Sequence, residues 1–214
     1  MAKRKLKPED LREACIEEAL VIIGESGLEA LSLREVARRL HVSHQAPYKH
    51  FLSRDHILAE VVSRAYQAFA VHLDSRPRSD DPREDLGNMG RAYLAYAQTH
   101  PLHYKLMFET QVPDPDQHPE MMRQAKHAFS LLKNAIALLP NRPGGAPPEL
   151  DALFVWSVMH GLASILRSHA LRTLDLSAEM IESVVPFALH RISIALGDDP
   201  AHLENVTLDS APKR

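Results

Sequence analysis

At 214 residues, with 45% apolar and 25% charged side chains, the chain is long enough for one or two domains with a real core. A formal charge of −3 means that any basic patch is local, and the one cysteine, Cys15, excludes an intramolecular disulfide and reads as a small buried hydrophobe beside Ile16 and Ala19. No apolar core follows the basic N-terminal end and the most apolar run, Ala152 to Leu166, is short and broken by Ser157, His160 and Ser164, so neither signal peptide nor membrane span is expected and the cytoplasm is the expected location.

Alternating β-branched runs and Asn-Gly turns are nearly absent, and proline punctuates the chain into helices, so the predicted fold is all-α. A first helix is expected over 9–26, stopped by Gly27. Ser32 and Glu35 form a capping box for a helix over 33–40, whose Leu33, Val36, Ala37 and Leu40 share one face. After the turn at His41-Val42, Ser43 caps a second short helix over 44–51, with Pro47 in its first turn, where a missing N–H costs least. In that helix Ala46 and Phe51 suit burial, whereas His44, Gln45, Tyr48, Lys49 and His50 are polar or amphipathic. A long helix over 54–75 keeps Ile57, Leu58, Val61, Val62, Ala65, Phe69 and Leu73 in helical period. Asp81 and Pro82 open the next helix to Thr99, and LHYKLMFE follows the turn at His100-Pro101. A loop over 112–120 leads to a helix ending near Leu139, and 140–149 is the most flexible-looking connection. Two last helices are expected over 149–172 and 177–196, the second bent at Pro186, before a frayed tail from 198.

Two short helices around a tight turn occur in many helical proteins, and an ordinary hairpin with a solvated face is the plain alternative. Charge distribution favours a DNA reader. Between Ser32 and Arg54 the bases are Arg34, Arg38, Arg39, Lys49 and Arg54 against the single acid Glu35, and Lys3, Arg4, Lys5 and Lys7 precede any acid. The stretch GESGLEALSLREVARRLHVSHQAPYKHFLSRDHIL resembles the N-terminal domain of the tetracycline-repressor (TetR/AcrR) family of bacterial transcription regulators, over roughly residues 9–58 without a gap. The resemblance rests on a Gly-Leu turn, the helix-turn-helix, the Tyr-x-His-Phe signature at Tyr48, His50 and Phe51, and the basic Arg54. Pro47 departs from the family pattern, where a helix former is commoner; a tightened first turn, with the helix kept, is expected there. The Gln-Ala-Pro-Tyr variant is similar to a subgroup with a C-terminal Trp…His-Gly motif, matched by Trp156, His160 and Gly161.

This resemblance implies a three-helix DNA-binding domain over 1–55, an effector-binding and dimerisation domain over 56–197, and a tail over 198–214. In the DNA reading, Ser43 caps the recognition helix and His44, Gln45 and Lys49 face bases, Gln45 suiting adenine and Lys49 guanine. Tyr48, His50, Arg34 and Arg54 would hold phosphates, with Lys3 to Lys7 lying in a groove. Protonation of histidines would raise DNA affinity in acid. The last two helices are apolar nearly all round and more than one subunit's core would absorb, which points to a homodimer through 149–172 and 177–196, as the family resemblance also implies; a wholly intramolecular core is the alternative. A pocket for a small hydrophobic effector would use Met89, Tyr93, Tyr96, Tyr104, Met107, Phe108, Phe129, Trp156, Met159 and His160, with Met121 and Met122 nearby, or these residues simply fill the core. Thirteen histidines without a cysteine cluster, HExxH or carboxylate at ligand spacing give no metal site, and no cofactor is expected. Nucleophile elbows, phosphate loops and paired catalytic carboxylates are missing, so the chain does not read as an enzyme. The expected function is a repressor released from operator DNA by an effector; a constitutive or corepressor-dependent DNA binder and a helical interaction module are the alternatives.

Overall fold

The computed structural model describes residues 8–140, 147–168 and 170–197, and all the regular structure among them is helical. Lys3 to Lys7, most of the 140–149 connection and the tail from 198 lie outside the described residues. In chain order the helices are α1 Pro8–Ser26, α2 Leu33–Arg39, α3 Arg54–Asp74, α4 Pro82–Thr99, α5 Pro101–Phe108, α6 Pro119–Ala137, α7 Pro148–Arg167, α8 Ala170–Thr173 and α9 Ala178–Ala195. Short 3-10 turns at Leu28–Ala30, Pro47–Lys49 and Pro115–Gln117 join some of them.

The fold divides into two compact units, one of residues 1–74 with 99–128 and the other of 75–98 with the chain from 129 onward. In the first unit, α1 supplies Cys15, Ile16, Ala19, Ile22 and Ile23, α2 supplies Leu33 and Val36, and α3 supplies Ile57, Leu58, Val61 and Val62 to one core. Phe51, Leu106 and Met121 complete it. Burial pushes the Cys15 thiol up to about 11, the behaviour of an inert core group. Beside this core, the Phe108 ring stands edge-on to Tyr66, Phe69 and Tyr104 at 5.9, 6.1 and 5.0 Å. The half-buried Tyr66 hydroxyl donates to the Met107 carbonyl at 2.9 Å, and desolvation pushes it up to about 12.

In the second unit, Met89, Tyr93 and Tyr96 of α4 are buried, as are Ala152, Val155, Met159, Leu162 and Ala163 of α7. Gly90 lets α9 come close: a Cβ there would stand 2.7 Å from the Leu189 Cδ2. The Arg76 side chain, 1% exposed, reaches Asp85 at 2.5 Å. Asp81 caps α4 by accepting the Arg83 N–H at 2.9 Å, as its place before Pro82 predicts.

Two expectations need correction. The segment 44–51 is not a second α-helix but a turn followed by the 3-10 turn Pro47–Lys49. Pro47 has no N–H to return to the Ser43 carbonyl, so that carbonyl takes the Ala46 N–H at 2.9 Å in the tighter 3-10 pattern. The helix expected over 149–172 breaks at Ser168, whose hydroxyl donates to the Ile165 carbonyl at 2.9 Å while its backbone turns extended. The apolar run lies within α7, which is 20 residues long and, by length and composition alone, apolar enough to cross a membrane, a property that core helices of water-soluble proteins share.

Candidate nucleic-acid interface

The turn that presents the candidate DNA contacts is fixed from both sides. On its N-terminal side, the Ser32 hydroxyl accepts the Glu35 N–H at 3.1 Å and starts α2. The Glu35 carboxylate does not complete the expected reciprocal box. It accepts instead from Arg38 at 2.7 and 2.6 Å and from Arg39 at 3.1 Å, and these hydrogen bonds, Arg38's first, hold it down at about 2. Arg39 also pairs with Glu25 at 2.6 Å and Glu18 at 3.5 Å, which ties α2 to α1. Arg38 and Arg39 therefore contribute less to a basic face than their number in the sequence suggests. At its end, α2 closes in a Schellman motif: the Val42 N–H bonds the Ala37 carbonyl at 3.0 Å and the His41 N–H the Arg38 carbonyl at 3.2 Å. His41 occupies the left-handed position with φ 54°.

On the C-terminal side, Phe51 is fully buried. Arg12 lies over its ring at 5.7 Å and His56 meets its edge at 5.9 Å. Ser53 and His56 form a second cap, with the His56 N–H bonding the Ser53 hydroxyl at 3.1 Å and the His56 Nδ1 accepting the Leu52 N–H at 3.2 Å.

Between these anchors the structure brings most of the predicted contacts to one surface loop. Ser43, His44, Gln45 and Lys49 are exposed, Tyr48 is 44% exposed, and Pro47 is buried beneath them. Arg34 is exposed on α2. The Ser43 side chain does not act as the expected cap, because the cap position of the 3-10 turn is Ala46 and no side chain bonds there. His50 is half-buried beside Phe51. Arg54, expected on a phosphate, is used within the fold: its Nη2 bonds the Leu28 carbonyl at 2.8 Å, its Nε the Leu31 carbonyl at 3.1 Å, and its Nη1 lies 3.6 Å from Asp55. It clamps the 28–31 turn to the start of α3.

The candidate pocket residues are shared between the units. Tyr104, Met107 and Phe108 belong to the first, where Tyr104 and Met107 are core. Met89, Tyr93, Tyr96, Phe129, Trp156, Met159 and His160 belong to the second. There the Tyr93 hydroxyl lies 3.3 Å from His160 Nδ1, and Trp156 stands edge-on to both Phe129 and His160 at 6.2 and 6.4 Å. A separate cleft of about 170 Å³ in the first unit is lined by His56, Glu60, Ser63, His118, Glu120 and Arg123 among others, and by none of those ten residues.

Comparison with known proteins decides the family. The family model for bacterial regulatory proteins of the tetR family matches residues 16–61, and that for the tetracyclin repressor-like C-terminal domain matches 86–186. The chain belongs to the TetR family. A curated relative, the HTH-type transcriptional regulator Rv1816 of Mycobacterium tuberculosis, is 33% identical over 116 residues, 50% of this chain and 49% of that protein. The chain spans about half the length of the curated relatives it matches. Among solved structures, a Rhodococcus sp. RHA1 protein of unknown function gives a TM-score of 0.71 at 21% identity, covering 88% of this chain and 96% of that one. A tetR-family bacterial regulatory protein from Rhodococcus RHA1 gives 0.64 at 16%, covering 88% and 98%. These two likenesses show the TetR fold. Within it, the matched N-terminal segment holds the helix-turn-helix, and the C-terminal match includes Trp156, His160 and Gly161.

Proposed function

We propose that this TetR-family protein is a homodimeric repressor that binds operator DNA with one helix-turn-helix per half-site and is released by a small hydrophobic effector. The observation that carries the DNA reading is the single exposed loop holding His44, Gln45, Tyr48 and Lys49, with Arg34 on the adjacent helix. Gln45 and Lys49 read base edges, while Arg34 and Tyr48 hold phosphates. Residues 1–55 act as the reading module and 56–197 as the effector and dimerisation part. Dimerisation rests on α7 and α9: Phe154, Ile165, Met180 and Phe187 are 44%, 46%, 59% and 49% exposed, and Ile192 is the one buried residue of α9. Two recognition turns about 34 Å apart then meet successive major-groove faces. An effector works by binding the operator-competent and incompetent states unequally. The aqueous cytoplasm and the absence of catalysis follow from this role, with the apolar face of α7 covered by a second subunit instead of lipid.

Burial favours a second reading for part of the pocket. Met89, Tyr93, Tyr96, Tyr104, Met107 and Met159 are all buried, as core residues of a regulator without an inducer would be. The test is binding of the purified protein to the DNA upstream of its own gene, at two salt concentrations and with competitor DNA. Specific, salt-sensitive binding by a dimer supports the regulator. Lys49→Ala is expected to weaken it by about 1–3 kcal/mol and blunt discrimination. Absence of binding at low salt would sink the DNA reading.

A further inference from the structure

We propose that His56 is a positioning residue for operator recognition, holding the exit of the recognition turn only while its imidazole is neutral. The inference rests on the operator-binding reading above, but its geometry is independent of DNA. His56 Nδ1 accepts the Leu52 N–H at 3.2 Å, so the neutral ring carries its proton on Nε2. The same ring meets Phe51 edge-on at 5.9 Å, and the Phe51 N–H bonds the Pro47 carbonyl at 2.9 Å. A short chain of contacts thus runs from the first turn of α3 through Leu52 and Phe51 into the turn that carries Tyr48 and Lys49.

Protonation gives the ring a second N–H, at Nδ1 and directly opposite the Leu52 N–H, and a donor then faces a donor. It also places a positive charge in the first turn of a helix, where the helix dipole disfavours it. The surroundings do little to offset this charge. On α3 itself Asp55 lies 3.6 Å from Arg54, and Glu60 is held by Arg12 of α1 at 2.8 Å. From the recognition turn the nearby titratable group is His50, whose ring packs on Phe51. From the segment before α6, the His118 ring lies 6.0 Å from His56, and on α6 Glu120 is already paired with Arg123 at 2.5 Å. His118, Glu60, Glu120 and Arg123 share a cleft of about 170 Å³ with His56, which gives solvent and protons access. The neighbouring carboxylates each have a cation, and the nearest unengaged neighbour is another imidazole.

The direction is opposite to that of exposed histidines on the DNA face, whose protonation attracts phosphate. That sign makes the experiment discriminating. Operator affinity of the full-length protein is compared with that of His56→Asn at about pH 8 and about pH 5.5, the two sides of the histidine range. Asparagine keeps an acceptor near the Nδ1 position and does not protonate. The two proteins are expected to bind alike at the higher pH, and the variant about tenfold more tightly at the lower, the worth of one hydrogen bond. An affinity ratio that is the same at both pH values overturns the proposal. His56→Leu, checked for folding by thermal melting, lacks the acceptor and is expected to bind weakly at both. In parallel, amide NMR of the free protein follows Leu52. Its shift is expected to move with the His56 ring in the wild type and stay flat in His56→Asn; a flat shift in both overturns the cap. If neither protein binds operator at any pH, the repressor reading fails, and the Leu52 shift alone decides the role of His56.

Discussion

Gly27 and His41 both adopt positive φ, but the two positions tolerate side chains differently. Gly27, at φ 83° and ψ 168°, sits in a region almost reserved for glycine, and a Cβ there would meet nothing within 4 Å. The cost of a side chain is therefore in the backbone alone, and Gly27→Ala is expected to destabilise the fold by about 1–3 kcal/mol in denaturant unfolding. His41, at φ 54°, lies in the left-handed helical region that ends a Schellman motif, where glycine is the preferred residue. His41→Gly is expected to raise stability by about 1 kcal/mol. A loss of stability would mean that the His41 side chain makes up for its strained backbone. Glu35 adds a pH dependence. Its carboxyl is held at about 2, below its ordinary 4.5, first by the Arg38 hydrogen bonds. A depressed carboxylate contributes stability above its unfolded pKa and loses it as pH falls towards the folded value. Unfolding measured from about pH 5 to about pH 2 should show Glu35→Gln with a shallower acid loss than the wild type, the gap closing at the acid end.

At the scale of elements, much of the chain is legible because long periodic helices bury what their period predicts. All seven apolar positions expected on α3, from Ile57 to Leu73, are buried, and its bounds come within a residue of those read from the sequence. Short segments depend on partners that a one-dimensional pattern does not show. Arg54 could not be separated from a phosphate ligand without knowing that the Leu28 and Leu31 carbonyls lie under it. Ser53-x-x-His56 has the spacing of a capping box, but the sequence alone does not single it out, because glutamate or glutamine is the usual residue three after the cap. The composition of the recognition segment suits a helix, and Pro47 overrules composition locally. A backbone donor at position 47 could reach the Ser43 carbonyl, so Pro47→Ala is expected to turn the 3-10 segment towards α-helix. The change from about 3.0 to about 3.6 residues per turn rotates each successive side chain by about 20°. Far-UV circular dichroism should show a small gain in helix, and operator preference should shift as Lys49 is re-aimed. An unchanged preference would mean that Lys49 does not read a base.

For the whole molecule, the deciding quantity is the apolar surface that the single chain leaves uncovered on α7 and α9. Leu153 and Phe154 on α7, and Met180, Ile181 and Phe187 on α9, are between 37% and 59% exposed, on helices where a lone subunit would normally place polar residues. Arg191 lies over the Phe187 ring at 5.1 Å, which shields one face of it and leaves the other open. Burial of a large apolar side chain gains about 1.5–3 kcal/mol, so a few half-exposed residues, each matched by its symmetry mate, are enough to hold a dimer. A carboxylate on this face would have to be desolvated twice, once in each subunit, and would face its own copy wherever it lies near the twofold axis. Phe187→Glu is therefore expected to give a folded monomer by sedimentation, with helicity unchanged because residue 187 is outside the core. Two half-sites bound by one dimer share a single loss of translational freedom, and separate monomers lose that advantage. Operator affinity should then fall by at least about a hundredfold, at the low end of what linked binding provides. A variant that stays dimeric and binds normally would show that the two subunits pair through some other surface.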